Sequence, residues 1–165
     1  MTNNVGLYVM NDVYGWVKSD LKTLKKWSRT LISKLPPAGS MISGELYLQN
    51  NTIQIEIISQ LEYFLKTKGK IKSREQFKIV DIIKNSSSLQ DLEKDHLILL
   101  FFVRHTICHN GGHYDKEFIN NCEKHLKKLK IERVKEGLLS SLPPDELLLY
   151  IDLTGKLIDE INNNP

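Results

Sequence analysis

The sequence LILLFFVRHTICHNGG occupies residues 97–112 of a chain of 165 residues. Its first seven residues are all apolar, whereas an arginine, two histidines and an asparagine are among those that follow, before a pair of glycines. Glycine readily adopts the left-handed conformation found just after a helix end, so Gly111 and Gly112 mark a natural stop. The stretch predicts a buried helix over about residues 89–109, with its polar residues at the C-terminal end.

Apolar residues recur with helical spacing on both sides of this stretch. In the N-terminal part, the stripe comprises Val13, Trp16, Val17, Leu21, Leu24, Trp27, Leu31 and Leu35. The pattern predicts helices over about residues 9–34, 41–67, 74–84, 89–109 and 114–130, followed by a last helix that opens at residues 143–146. No segment alternates apolar and polar residues as a strand would. The sequence therefore predicts an all-α fold, an antiparallel bundle of five to six helices, in one domain covering residues 1–165.

Three local features of the sequence predict details of the first three helices. The Asn-Asn-Thr run at residues 50–52 is a weak point at which the second helix could break. Ser73, with Gln76 three residues later, predicts a capping box at the start of the third helix. Trp16 and Trp27 lie on the apolar stripe of the first helix, so we expect both to pack in the core.

Composition limits the class of protein. The formal net charge is only +3, so any affinity for nucleic acid must come from a local patch. Two cysteines, Cys108 and Cys122, are too few for a disulfide framework and favour a reducing compartment. The N-terminus resembles no secretory signal, and the apolar run 97–103 is too short to span a bilayer. We expect a cytoplasmic protein without a membrane partner.

The polar end of the 89–109 helix combines residues suited to phosphate chemistry. Arg104 carries a permanent charge and can hold a phosphate with two parallel hydrogen bonds. His109 can accept or donate a proton near neutral pH. On an ideal helix, Arg104 and His109 point about 140° apart, whereas His105 and His109 differ by only about 40°. His105 is therefore expected to be the closer neighbour of His109.

The end of this helix resembles the motif of the HEPN family, the higher eukaryotes and prokaryotes nucleotide-binding domains. Four residues separate Arg104 from His109, the first of them is polar, and Asn110 and Gly111 follow the histidine. The family commonly has asparagine where this chain has His105. The resemblance implies a helical bundle that forms a homodimer and cleaves RNA without a metal or other cofactor. Many members are toxins or abortive-infection and other defence proteins, often paired with an antitoxin.

In this interpretation the substrate is RNA, such as tRNA or mRNA, which is cut when a ribose 2′-hydroxyl attacks the adjacent phosphate. His109 would transfer protons, and Arg104 would stabilise the charge on the phosphoryl oxygens. His105 and Asn110 would support them. The products would be a 2′,3′-cyclic phosphate and a 5′-hydroxyl.

A basic segment downstream of the motif predicts an RNA-binding surface. Lys124, Lys127 and Lys128 are its central residues, and Tyr114 is a candidate for stacking on a base. A second group of cations lies at residues 66–74. Either group could equally be a solvated helix face.

Other interpretations of the motif remain open. His105, Cys108, His109 and His113 have spacings that a zinc site could use, although the glycines interrupt the helix before His113. Cys108 follows the apolar pattern and is expected to be buried. The chain could also be a nucleotide- or protein-binding helical module without catalysis. Finally, the motif could simply cap a helix, because cations are favoured at helix C-termini.

Overall fold

The computed structural model of the chain describes residues 12–37, 43–109, 112–132, 134–138 and 142–164. Its helices, numbered in chain order, are α1 (Val13–Ile32), α2 (Gly44–Thr67), α3 (Lys78–Asn85), α4 (Asp91–His109), α5 (Lys116–Lys128) and α6 (Leu147–Asn163). A 3₁₀ turn, Pro144–Glu146, leads into α6. No described residue lies in a β-strand, and no helix of the described chain is long and apolar enough to cross a membrane. Over the residues that the structure describes, the predicted all-α class with five to six helices is confirmed.

Helix α4 forms the centre of the bundle and packs against α2, α3, α5 and α6. Its buried apolar residues are Leu97, Ile98, Leu99, Leu100, Phe101 and Val103, each no more than 1% exposed. A helix with neighbours on several sides buries more than one stripe, which explains the continuous apolar run in its sequence. Burial of one such side chain contributes about 1.5–3 kcal/mol, so α4 is fixed firmly and its C-terminal end is held in place.

Helices α1 and α6 run antiparallel, joined by ion pairs along their length. Near the start of α1, the Nζ of Lys18 lies 2.9 Å from Oδ1 of Asp159, and the hydroxyl of Tyr14 donates to the same oxygen at 2.9 Å. Further along α1, Lys25 pairs with Asp152 at 2.6 Å. Residue numbers rise along one helix and fall along the other, as an antiparallel pair requires.

The apolar stripe of α1 is narrower than its sequence predicts. Val17, Leu24 and Leu31 are buried, but Trp16 is 49% and Trp27 is 53% exposed. The expectation that both tryptophans pack in the core is therefore wrong. They lie at the border of the stripe, where large rings extend beyond the contact with the neighbouring helices.

Helix α2 is continuous through residues 50–52, so the expected break does not occur. Its amides hold the chain that leads into α6. Asn50 Nδ2 and Gln54 Nε2 donate to the carbonyl of Leu142 at 2.9 and 3.1 Å, and the Leu142 amide donates to Gln54 Oε1 at 3.2 Å. These buried side chains satisfy backbone groups that would otherwise be unpaired, which makes them an anchor between two parts of the chain.

Helix α3 begins at Lys78 rather than at residue 74, and the predicted capping box is wrong. The carboxylate of Glu75 accepts from the backbone amide of Lys72 at 3.1 Å and pairs with Lys78 Nζ at 2.8 Å. It thereby closes a turn over residues 72–75 before the helix. Phe77 occupies the cap position without a side-chain hydrogen bond.

Helices α4 and α5 also run antiparallel. Near the start of α4, Asp95 is buried, with Oδ1 2.5 Å from Nδ1 of His125 and Oδ2 2.9 Å from Nζ of Lys128, both near the end of α5. Burial raises the pKa of Asp95, but the hydrogen bonds from Lys128 and His125 outweigh it and hold that pKa below its ordinary value. At the other end, Asp115 caps α5 by accepting from the Phe118 amide at 2.7 Å.

Glu160 near the end of α6 organises the loop between α3 and α4. Its carboxylate accepts from the amides of Ser87 and Ser88 at 2.7 and 3.2 Å and from the hydroxyls of Ser86, Ser87 and Ser88. Burial opposes its charged form, yet these hydrogen bonds lower the pKa of Glu160 to about 2. The loop is thus fastened just before α4 starts.

Candidate functional site

The motif lies at the C-terminal end of α4, as its sequence predicts. The helix ends at His109, and Gly112 adopts a left-handed conformation with φ of +77°. A glycine is the residue that takes this conformation without strain. Asn110 and Gly111 lie outside the described residues, so the supporting role predicted for Asn110 stays a prediction.

His105 and His109 form a pair of adjacent imidazoles. Their ring centroids are 4.6 Å apart, with an angle of 45° between the planes, as expected from their positions on one helix face. His105 is half-buried and His109 is exposed. Burial lowers the pKa of His105, and the nearby charges of His109 and Arg104 lower it further, against the opposite effect of Glu117 and Asp115 on α5 and at its cap.

Arg104 contacts α2 through an ion pair. Its Nη2 donates to Oε2 of Glu62 at 3.3 Å, and its Nη1 lies 3.3 Å from Oε1 of the same carboxylate. A second cation, Lys66, also approaches this carboxylate, with its Nζ 3.7 Å from Oε2 of Glu62. The Arg104 and Glu62 side chains are only 12% and 6% exposed, so this is a largely buried ion pair that joins α4 to α2.

The ion pair leaves part of the guanidinium uncommitted. Arg104 Nε, although buried, has no hydrogen-bond partner among the described residues, and the Nη1 contact with Glu62 lacks hydrogen-bond geometry. A buried donor without a partner is costly, and an entering anion could satisfy it. The charge of Arg104 also helps to lower the pKa of His105.

The two cysteines have opposite environments. Cys108 is exposed, so the expectation that it is buried is wrong. It lies on the outer face of the last turn, next to His109. Cys122 on α5 is the buried thiol, and burial raises its pKa to about 12. Among the described residues, no group of three or more His, Cys, Asp and Glu side chains could hold a metal ion.

Tyr114 cannot stack on a base as the sequence predicts, because it is only 3% exposed. Its ring packs 4.6 Å from that of Phe118, centroid to centroid. Its backbone amide donates to Leu138 at 2.9 Å, and its carbonyl accepts from Gly137 at 2.8 Å. Tyr114 therefore belongs to the core and fastens the 134–138 segment to the start of α5.

The predicted lysines of α5 have different surroundings. Lys127 pairs with Glu123 at 2.6 Å, and Lys128 pairs with Asp95 at 2.9 Å. Lys124 is exposed. Two of the three cations are therefore partly neutralised by carboxylates, which weakens this face as a binding surface for phosphates.

Two residues of the site escaped the sequence analysis. Phe77 is 55% exposed, and its ring centroid lies 5.6 Å from that of His105. The only sequence signal for Phe77 is that it is an isolated aromatic residue three positions after the cations of residues 66–74. Glu62, the partner of Arg104, is a carboxylate in the otherwise apolar run between Leu61 and Phe64, a position at which a buried charge requires a partner.

No protein-family model matches the chain, and neither does any curated protein or solved structure. The features that bear on its function are therefore the geometry at the end of α4 and the residues of the motif.

Proposed function

We propose that this protein is a metal-independent endoribonuclease of the toxin or defence type, which cuts RNA by attack of a 2′-hydroxyl on the adjacent phosphate. The single observation that carries the proposal is the pair of imidazoles at the exposed end of α4, His105 and His109, with centroids 4.6 Å apart. The reaction needs an acid and a base close to one phosphate, and two adjacent histidines meet that need.

The two imidazoles share the proton transfers of the proposed step. One imidazole takes the proton of the 2′-hydroxyl while the bond from that oxygen to phosphorus forms. The bond from phosphorus to the 5′-oxygen breaks, and the second imidazole gives that oxygen a proton. The products are a 2′,3′-cyclic phosphate and a 5′-hydroxyl. His105 suits the base, because its lowered pKa keeps it neutral at physiological pH, and His109 suits the acid.

Arg104 would stabilise the charge that develops on the phosphoryl oxygens. Its Nε has no hydrogen-bond partner among the described residues, while Glu62 holds the far side of the guanidinium. In the largely water-free setting of this side chain, such a preorganised cation acts more strongly than it would in water. Asn110, which follows His109 in the sequence, would orient His109 or the phosphate.

The biological setting follows from the resemblance to the HEPN family. A tRNA or mRNA substrate places the proposed activity in the cytoplasm, and a cognate antitoxin would hold it in check. We also propose a homodimer, which would bring two His105–His109 pairs to one cleft. Sedimentation equilibrium of the purified protein tests this, and a monomer at all concentrations would contradict it.

A second candidate function is a nucleotide- or protein-binding module without catalysis. The observation in its favour is the buried Nε of Arg104, which has no hydrogen-bond partner among the described residues and could bind a nucleotide phosphate without any reaction. In that case Arg104→Ala would weaken nucleotide binding, while no RNA would be cut by any form of the protein.

The experiment is incubation of the purified protein with total RNA and with tRNA in excess EDTA, beside His109→Ala. A matched control is His113→Ala, an exposed histidine outside the pair. We expect the wild type and His113→Ala to cut, and the rate of His109→Ala to fall by about 10²–10⁴-fold, as for loss of a general acid. The cut ends should carry 2′,3′-cyclic phosphates.

Equal cutting of every RNA by His109→Ala and the wild type would contradict the proposal. Cutting that disappears in EDTA would contradict its metal independence. A folded wild type that cuts nothing but binds nucleotides through Arg104 would favour the second candidate.

A further inference from the structure

Phe77 forms an exposed aromatic surface beside the histidine pair. Its ring meets Phe101 edge-on at 5.8 Å and lies 5.6 Å from the ring of His105, which in turn lies 4.6 Å from that of His109. The rings of Phe77, His105 and His109 thus form a row of three. More than half of the Phe77 side chain remains open to solvent.

The position of Phe77, rather than its exposure alone, calls for an explanation. Single exposed apolar residues are common on protein surfaces. Phe77, however, is fixed from below by the fully buried Phe101 and is continuous with the two groups proposed to move protons. A ring that is held in place loses little freedom when another flat ring settles on it, which favours stacking.

A group of cations precedes Phe77 in the sequence. Residues 66–78 contain six lysines and arginines but only one carboxylate, Glu75, which forms an ion pair with Lys78. Besides Lys78, the exposed cations of this segment are Lys68, Lys70, Lys72 and Arg74. None of these four forms an ion pair within the described chain. They contrast with Lys127 and Lys128 of α5, which both contact carboxylates.

We propose that Phe77 stacks on a base of single-stranded RNA next to the phosphate held at His105 and His109, and that the cations at residues 68–74 hold the phosphates on one side of it. Arg74 lies within about 11 Å of Phe77 along the chain, close enough to serve the same strand. The ligand is single-stranded because a base must be unstacked before it can lie on a protein ring. This inference rests on the proposed function only for the phosphate that is cut.

The first test is binding of a uridine-rich single-stranded RNA to the full chain with His109→Ala, which prevents cleavage. In this background we expect Phe77→Ala to weaken binding by roughly fivefold to a hundredfold, the usual effect of losing one stacked base. Phe77→Tyr should retain binding, whereas Phe77→Leu, which keeps an apolar side chain, should not. Trp27→Ala is the matched control, since Trp27 is a similarly exposed ring on α1.

A second test separates the cations. Lys70→Gln with Lys72→Gln should make the dependence of log affinity on log salt shallower by about 0.7 for each lost phosphate contact, whereas Lys124→Gln with Lys127→Gln should change it less. A larger change from the α5 pair would overturn this part of the proposal. An RNA in which the stacked position is abasic should bind the Phe77→Ala and parent proteins equally.

Several results would overturn the role of Phe77. They are the absence of RNA binding by the folded parent, unchanged binding by Phe77→Ala, and an equal loss in Trp27→Ala. Binding that depends on Phe77 in a protein that never cuts RNA would support the stacking site while the proposed nuclease fails. Cleavage that is independent of Phe77 would do the reverse.

Discussion

Arg104 and Glu62 form an ion pair that joins α4 to α2, with Nη1 3.3 Å from Oε1 and both side chains largely buried. The arginine that the sequence assigns to phosphate binding is therefore also held by a carboxylate inside the protein. A buried pair of this kind contributes little net stability, because desolvation offsets the attraction. Removing only one of the two side chains is strongly destabilising, because it leaves the other charge buried without a partner.

We expect Glu62→Ala to lower the free energy of unfolding by about 3 kcal/mol, the lower end of the range for breaking a buried ion pair. The guanidinium of Arg104 would lose its counter-charge while retaining slight access to water. Urea unfolding measures the change. The double variant Glu62→Leu, Arg104→Met removes both charges and should recover most of the loss. If the double variant were less stable than Glu62→Ala, the pair would not be the cause.

The proximity of His105 to His109 should be detectable in the pH titration of the His105 imidazole. Because burial and neighbouring charges lower the pKa of His105, its NMR midpoint should fall below 6.5, and His109→Gln should raise that midpoint by removing one charge. The unfolded chain then binds a proton at higher pH than the folded one. The contribution to stability is thus complete above about pH 6.5 and is lost as the pH falls below it. A midpoint above 6.5 would contradict this geometry.

Asp95 should make the protein sensitive to acid. Its pKa is below the ordinary 3.8 because hydrogen bonds from Lys128 and His125 outweigh its burial. Its stabilising contribution is present above that value and is lost as the pH falls through the folded pKa. At neutral pH, Asp95→Asn should cost about 2 kcal/mol, as for hydrogen bonds to a charged group.

The control for Asp95 is Asp81→Asn, an exposed carboxylate on α3. Below about pH 4, stability should fall less steeply in Asp95→Asn than in the wild type, since the titrating group is gone. Thermal melts over this range measure the slope. Parallel curves for the wild type and Asp95→Asn would mean that other carboxylates dominate acid unfolding.

The two thiols should react at very different rates. Cys108 is exposed, whereas Cys122 is buried with its pKa raised to about 12, so a maleimide should label Cys108 in the folded protein and Cys122 only after unfolding. Mass spectrometry of labelled peptides distinguishes them, with Cys108→Ser as the control. Rapid labelling of Cys122 in the folded Cys108→Ser protein would be incompatible with the packing of α5.

Helices and their boundaries could be predicted closely where local signals are strong. The end of α4 at His109 follows from the glycines, and the proximity of His105 to His109 follows from helical geometry alone. The prediction failed where a signal competes with tertiary contacts. The Asn-Asn-Thr run at residues 50–52 weakens an isolated helix, but in the bundle Asn50 donates a hydrogen bond to the carbonyl of Leu142. Helix α3 begins later than predicted because Glu75 closes a turn before it.

The sequence by itself determined the all-α class, the position of the central helix and the pairing of the two histidines, because these depend on periodicity and on the fixed geometry of one helix. Only the tertiary structure decided that Arg104 meets Glu62, that Tyr114 is buried, and that Phe77 lies beside His105. Each of these contacts joins residues from different helices or from the turn that precedes one. Such contacts depend on how whole apolar faces pack together, which no local spacing along the chain encodes.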